Sequence, residues 1–150
     1  MSIEQKLLED MKLAMKSGKK AELDTIRILR AQIKMASIEK NDELTEVDVI
    51  QVLQKEAKKR RESIEMFKRG NREDLVKKEK SELDIISAYL PEQLSGDEVL
   101  KIIREVVSSL QVDSEKDMGR VMGVIMPKVK GKADGKLVQQ KVKEYLSSLK

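Results

Sequence analysis

Four lysines, Lys128, Lys130, Lys132 and Lys136, are interleaved with Gly131 and Gly135. That spacing suits phosphate: glycines let a loop turn its amides toward an anion, and ammonium groups neutralise it. Immediately upstream, Met118, Val121, Met122, Ile125 and Met126 fall at i, i+3, i+4, i+7 and i+8. They predict one apolar stripe on a helix that Pro127 terminates. Gly119 and Gly123 sit one turn apart at the edge of that stripe, beside Arg120. A side-chain-free edge admits either a second helix or the backbone of a ligand. Between Lys116 and Lys143 eight Lys or Arg stand against two acids, so this segment carries +6 of a chain whose total is +4. The field is that of a polyanion-binding surface, with loop amides and lysines meeting phosphates.

Other chemistry is excluded by composition. With no histidine and no cysteine there is no imidazole base, no thiol nucleophile, no disulfide and no ordinary zinc site. No catalytic residue, cofactor or metal is expected. Gly131-Lys-Ala-Asp-Gly-Lys136 falls one residue short of a P-loop, has Leu137 where a hydroxyl is required, and follows no strand. Asp113-x-Glu115-x-Asp117 lacks the turn glycine and distal glutamate of a calcium loop and reads as an acidic helix entry. Only Phe67, Tyr89 and Tyr145 are aromatic, too few to stack single-stranded bases. A nucleic-acid target would therefore be a folded shape such as transfer RNA.

The elements that position these residues are helices. Hydrophobic and charged residues each make up 39% of 150 residues, and Leu, Ile, Met, Lys and Glu dominate, which favours an all-α fold. Ser2-x-x-Gln5 opens a first helix with Ile3, Leu7, Leu8, Met11 and Met15 inward, ending at Gly18. A second, from about Ala21 to Asn41, carries Leu23, Ile26, Leu29, Ile33 and Ala36 inward and Arg27, Arg30 and Lys34 as a basic stripe. Thr45-x-x-Asp48 opens a third, reaching about Arg69. Asn71 is expected to cap a fourth that runs to Leu90. Tyr89-Leu-Pro-Glu-Gln-Leu94 reads as a semi-rigid connector. Ser95-x-x-Glu98 then opens a fifth helix with Val99, Ile102, Ile103, Val106 and Leu110 inward. The glycine helix, roughly Glu115 to Met126, follows. A last one after Asp134 carries Leu137, Val138, Val142, Tyr145, Leu146 and Leu149. This divides the chain into a four-helix domain, 1–91, and a three-helix domain, 92–150.

The third and fourth helices each have one charged residue in the apolar seam, Arg60 and Glu79. In an antiparallel hairpin turning at Gly70, facing positions have a constant sum, and Arg60 with Glu79 shares the sum of Leu53 with Ile86. An ion pair is predicted that fixes register more than it stabilises. The neighbouring Lys55, Lys58, Lys59, Arg60 and Arg61, interleaved with Glu56 and Glu62, read as a solvated face.

Taken together, Arg72-Glu-Asp-Leu75, Glu79-x-x-Glu-Leu83, Tyr89-Leu-Pro-Glu-Gln-Leu94, Met118-Gly-Arg-Val-Met-Gly123 and Gly131-Lys-Ala-Asp134 resemble the GatB/YqeY family. It comprises stand-alone YqeY-like proteins and the tail of the B subunit of glutamine-dependent aminoacyl-tRNA amidotransferase. The resemblance spans nearly the whole chain. It implies a helical domain followed by a three-helix tail domain that contacts transfer RNA away from the chemistry, with Gly119, Gly123, Gly131, Lys132 and Asp134 at the matching positions. The kinase-like core and glutaminase partner of the amidotransferase have no counterpart in these residues, so the family's link to carbon–nitrogen ligase activity does not extend to the chain alone.

The expectation is a transfer-RNA-binding accessory protein in the cytoplasm, without catalysis of its own. Its candidate contacts are Gly119, Arg120, Gly123, Lys128, Lys130, Gly131, Lys132, Asp134 and Lys136. The alternative is an interaction module that docks on an amidotransferase, a synthetase or the ribosome through its methionine-rich helix. No apolar secretory segment or membrane span is expected.

Overall fold

The computed structural model describes residues 1–149. They are all-α, with no strand among the described residues. Among the described residues seven α-helices form two compact units, divided between Leu90 and Pro91. The first unit contains α1 (Ile3–Ser17), α2 (Lys20–Lys40), α3 (Glu46–Arg69) and α4 (Glu73–Ser87). The second contains α5 (Gly96–Leu110), α6 (Met118–Val129), entered through a 3-10 turn at Glu115–Asp117, and α7 (Gly135–Ser148). Among the described residues no helix is long and apolar enough to cross a membrane.

Helix starts are legible in the sequence where a side chain closes them. Ser2, Thr45 and Ser95 each accept from the third helical amide, and Gln5, Asp48 and Glu98 return the bond to the cap residue's own N–H. Asp48 also accepts from Lys40 Nζ at 2.7 Å. That bond, with the one from the Thr45 amide, holds its carboxyl at about 2.

The α3–α4 turn differs from expectation. Gly70 has φ −86°, and it is Asn71 that turns left-handed, at φ 55°. Arg72 N–H donates to Phe67 O at 2.9 Å and Asn71 N–H to Lys68 O at 3.2 Å, so Asn71 finishes α3 in a Schellman turn instead of capping α4. Arg72 precedes α4 without a side-chain cap, and α4 stops at Ser87, short of Leu90.

The core of the first unit is Leu7, Ile26, Leu29, Ile33, Val49, Leu53, Ala57, Ile86 and Tyr89. Tyr89 donates to Asp10 Oδ2 at 2.5 Å. Burial and that carboxylate push its phenol well above the usual range. The second core joins Val99, Ile103 and Val106 of α5, Val121, Ile125 and Val129 of α6, and Val138, Val142 and Leu146 of α7. Each such buried side chain contributes about 1.5–3 kcal/mol. Four residues expected inward face out: Leu8, Met15, Leu137 and Leu149. In α1 and α7 the buried arc is set by Leu7 and Ala14 and by Val138, Val142 and Leu146, and Leu8, Met15 and Leu137 each sit about 100° around the helix from a member of it.

Arg60 is buried in the α3–α4 seam and is only 9% exposed, which removes it from the solvated basic face. Its Nε lies 4.0 Å from Glu79, the predicted partner, and 3.4 Å from Glu82. Its Nη1 donates to the equally buried Glu56 at 2.5 Å. The expected pair is thus one arm of a cluster of three carboxylates around one guanidinium. Its Nε has no hydrogen-bond partner.

Candidate functional site

The site is organised by α6. Pro127 does not end this helix: α6 continues to Val129, because a proline near the C-terminus removes one bond to Gly123 while the amides beyond it still find acceptors. Lys130 N–H donates to Met126 O at 2.9 Å, and Val129 is fully buried, anchoring the extra residues. Met118, Met122 and Met126 are half-buried against the core, so they do not form the open face that docking through the methionine-rich helix would require. The face turned to solvent carries Gly119, Gly123 and Pro127 along one ridge and Arg120, Val124 and Lys128 along the next.

Those glycines decide between two uses. A Cβ built at either position meets nothing within 4 Å, and neither has a positive φ. No neighbouring helix and no turn requires them, so the helix-packing reading fails within the described chain. Gly123, in the helix interior, nevertheless costs about 0.5–1 kcal/mol relative to alanine, and Gly119, in the first turn, costs less. This exposed face lies beside the ridge that carries Arg120 and Lys128.

The lysine loop is more ordered than its glycine content suggests. Lys132 and Ala133 N–H both donate to Val129 O, at 2.9 and 3.0 Å, and Lys136 N–H donates to Asp134 Oδ1 at 3.1 Å. These amides, together with that of Lys130, are already committed, so they cannot serve as a phosphate cradle. Asp134 is the N-cap of α7, and Gly131 is buried in a left-handed turn at φ 79°. Both position the loop, whereas the exposed groups of the predicted set are Arg120, Lys128, Lys130, Lys132 and Lys136. Among the described residues none of these five is ion-paired.

One residue that organises the loop, Gln93, enters the sequence reading only as part of the Tyr89–Leu94 motif, with no role of its own. The Gln93 side-chain amide donates to Gly131 O and to Pro91 O, both at 2.8 Å, and Leu94 N–H donates to Lys132 O at 2.8 Å. The segment that reads as a connector is therefore a brace that bolts the lysine loop in place. No periodicity could reveal it, since the bonds that reach the loop join residues 38 apart through backbone oxygens. The acidic entry has a structural role too, because Glu115 accepts from Ser147 Oγ of α7. No group of three potential ligands among the described residues is placed to hold a metal ion.

An all-α chain with a small helical unit bearing an open glycine face and a braced cationic loop is the class defined by this geometry. The family model for Yqey-like protein matches residues 4–146, and the chain belongs to that family. It is 33% identical to altered inheritance of mitochondria protein 41, mitochondrial, of Pyrenophora tritici-repentis, over 95% of this chain and 80% of the relative. Shorter similarities reach the E subunit of glutamyl-tRNA(Gln) amidotransferase. One is to that of Thermococcus sibiricus, 49% identical over 35% of this chain and 9% of the relative. Another is to that of Aeropyrum pernix, 41% identical over 37% of this chain and 10% of the relative. These are partial homologies to the amidotransferase tail region, which carries a domain of this family.

Proposed function

We propose that the chain binds transfer RNA, as an accessory protein without catalysis of its own, through the glycine face of α6 and the lysine loop. The observation that carries this reading is the pair of helical glycines that nothing in the chain packs against, flanked by Arg120 and Lys128. An RNA minor groove is wide and shallow, and is read through phosphates and 2′-hydroxyls instead of base edges. A flat helix face with cations along one side fits that shape. The loop amides being occupied, the cationic side chains of Lys130 and Lys132 supply the phosphate contacts, at positions held by Gln93 and Leu94.

Filter binding of bulk transfer RNA across a salt series tests this. Affinity is expected to fall steeply with salt, and Lys130→Glu with Lys132→Glu is expected to reduce the slope of log K against log salt by roughly two contacts. Undetectable binding at low salt, or an unchanged slope in the double variant, sinks the reading.

The similarity to the amidotransferase relatives supports a second element, association with an amidotransferase or with a synthetase that supplies its substrate. A pull-down that survives nuclease treatment would favour direct docking over an RNA bridge. The proposed location is the compartment where transfer RNA is charged: the cytoplasm or, following the name of the relative from Pyrenophora, the mitochondrion.

A further inference from the structure

The first unit holds a groove of about 990 Å³ between α1, α2 and the start of α3, to which the function proposed above assigns nothing. One wall is the basic stripe of α2: Arg27, Arg30 and Lys34, at i, i+3 and i+7, cover about 10 Å of helix. All three are exposed, and none is ion-paired among the described residues. Arg30 Nη1 approaches Met11 Sδ at 3.2 Å, which turns its guanidinium toward the α1 side. The floor is apolar, with Leu7, Ile33 and Val49 beneath and Leu8 and Leu44 at the sides. Leu8 is 36% exposed.

The charges are segregated along the groove. Glu43 and Glu46 follow the C-terminal end of α2, and Glu4 lies in the first turn of α1, which the reversal at Gly18 returns to that same end. Arg27 and Arg30 lie nearer the other end, and Lys34, one turn beyond Arg30, lies between them and the acids. A polyphosphate laid in this groove would meet three carboxylates, so RNA does not fit it. A surface with an apolar centre, cations at one end and acids at the other is its own complement when rotated by a two-fold axis.

The geometry points to a second copy of this chain as the occupant, docked antiparallel so that Arg27 and Arg30 of each copy face Glu4 and Glu43 of the other, over the apolar centre. The fifteen residues lining the groove are fewer than the roughly 20–30 a side of a standard interface. Association is therefore weak, concentration-dependent and lowered by salt.

Sedimentation velocity of the full chain over a concentration series reads this directly. The wild-type mass is expected to rise from one chain toward two. Arg27→Glu with Arg30→Glu places four acids face to face, and Glu4→Lys with Glu43→Lys places four cations face to face. Each double variant should associate at least roughly tenfold more weakly, with thermal melts checking that it remains folded. Mixing the two variants restores both contacts in a heterodimer, which neither variant alone can form. A wild-type chain that stays monomeric throughout overturns the proposal and frees the groove for a partner of another sequence. A dimer indifferent to both reversals, or a mixture with no heterodimer, overturns it equally.

Discussion

In the α3–α4 hairpin the residue that breaks the apolar pattern, Arg60, is turned inward and ringed by Glu56, Glu79 and Glu82. In α6 the residues that break the helical pattern, Gly119 and Gly123, are turned outward and touch nothing. Both are costly choices: a buried charge loses its hydration, and a helical glycine loses backbone entropy. The buried exception has internal partners, Glu56 on its own helix and Glu79 and Glu82 across the seam. The exposed exception packs against nothing in the described chain, and it is the feature on which the proposed RNA contact rests. The contrast gives a way to separate architecture from function without knowing the ligand.

The largest test falls on the buried side. Arg60→Ala leaves Glu56, 3% exposed, without its principal partner and two further carboxylates close by. Removing one member of a buried charged set typically costs about 3–5 kcal/mol, so chemical unfolding monitored by circular dichroism should show a loss of that order in the first unit. A loss under about 1 kcal/mol, the range of exposed pairs, would mean that Glu56 is not left as an uncompensated buried charge, and the comparison collapses.

The glycine face gives the sharper, opposite test. Gly123→Ala should raise stability by about 0.5–1 kcal/mol and Gly119→Ala, in the first turn of α6, by less, because the added methyl meets open space, while both weaken binding of transfer RNA. Stability and binding moving in opposite directions is what an external ligand demands. If either alanine destabilises the fold, a hidden packing role exists. If affinity is unchanged, the glycines are not the contact.

How much of this can be read from residues alone follows the same division. Regular features are legible: three capping boxes, the all-α class, and the Arg60–Glu79 relation derived from constant hairpin sums. Each depends on spacing along one helix or across one turn. Glu82 and Glu56 escape because they reach Arg60 from outside the seam positions. Pro127 misleads because a proline near a helix end costs one bond, while the burial of Val129 outweighs that loss. Asn71, expected as a cap for α4, instead closes α3, as an asparagine can where φ is positive. At the candidate site the spacing finds the exposed lysines, but it also suggests free loop amides, whereas those of Lys130, Lys132 and Ala133 are bonded. Their acceptors, like the brace from Gln93, are set by tertiary geometry that no local pattern encodes.

The smallest effect is a pH dependence, and its sign follows from the buried cluster. Burial, and then the neighbouring Glu82 charge, raise the Glu79 carboxyl above its ordinary value despite Arg60. A carboxyl raised in the folded state binds its proton more tightly there than in the unfolded chain. Its contribution to stability therefore grows as pH falls from neutrality into the carboxylate range. Asp48 acts in the opposite sense and lower down. Held at about 2 against an unfolded value near 3.9, it supports the fold above about pH 4 and loses that support as pH falls toward 2. The two limbs separate in a comparison of wild type with Glu79→Gln by urea unfolding. Stability of the wild type relative to the variant should rise as pH falls from 7 toward the ordinary glutamate value of about 4.3, while the decline below pH 4 remains in both. A difference that falls over the upper interval would mean that Arg60 outweighs burial at Glu79, making the cluster a net stabiliser and not a register device that the fold tolerates.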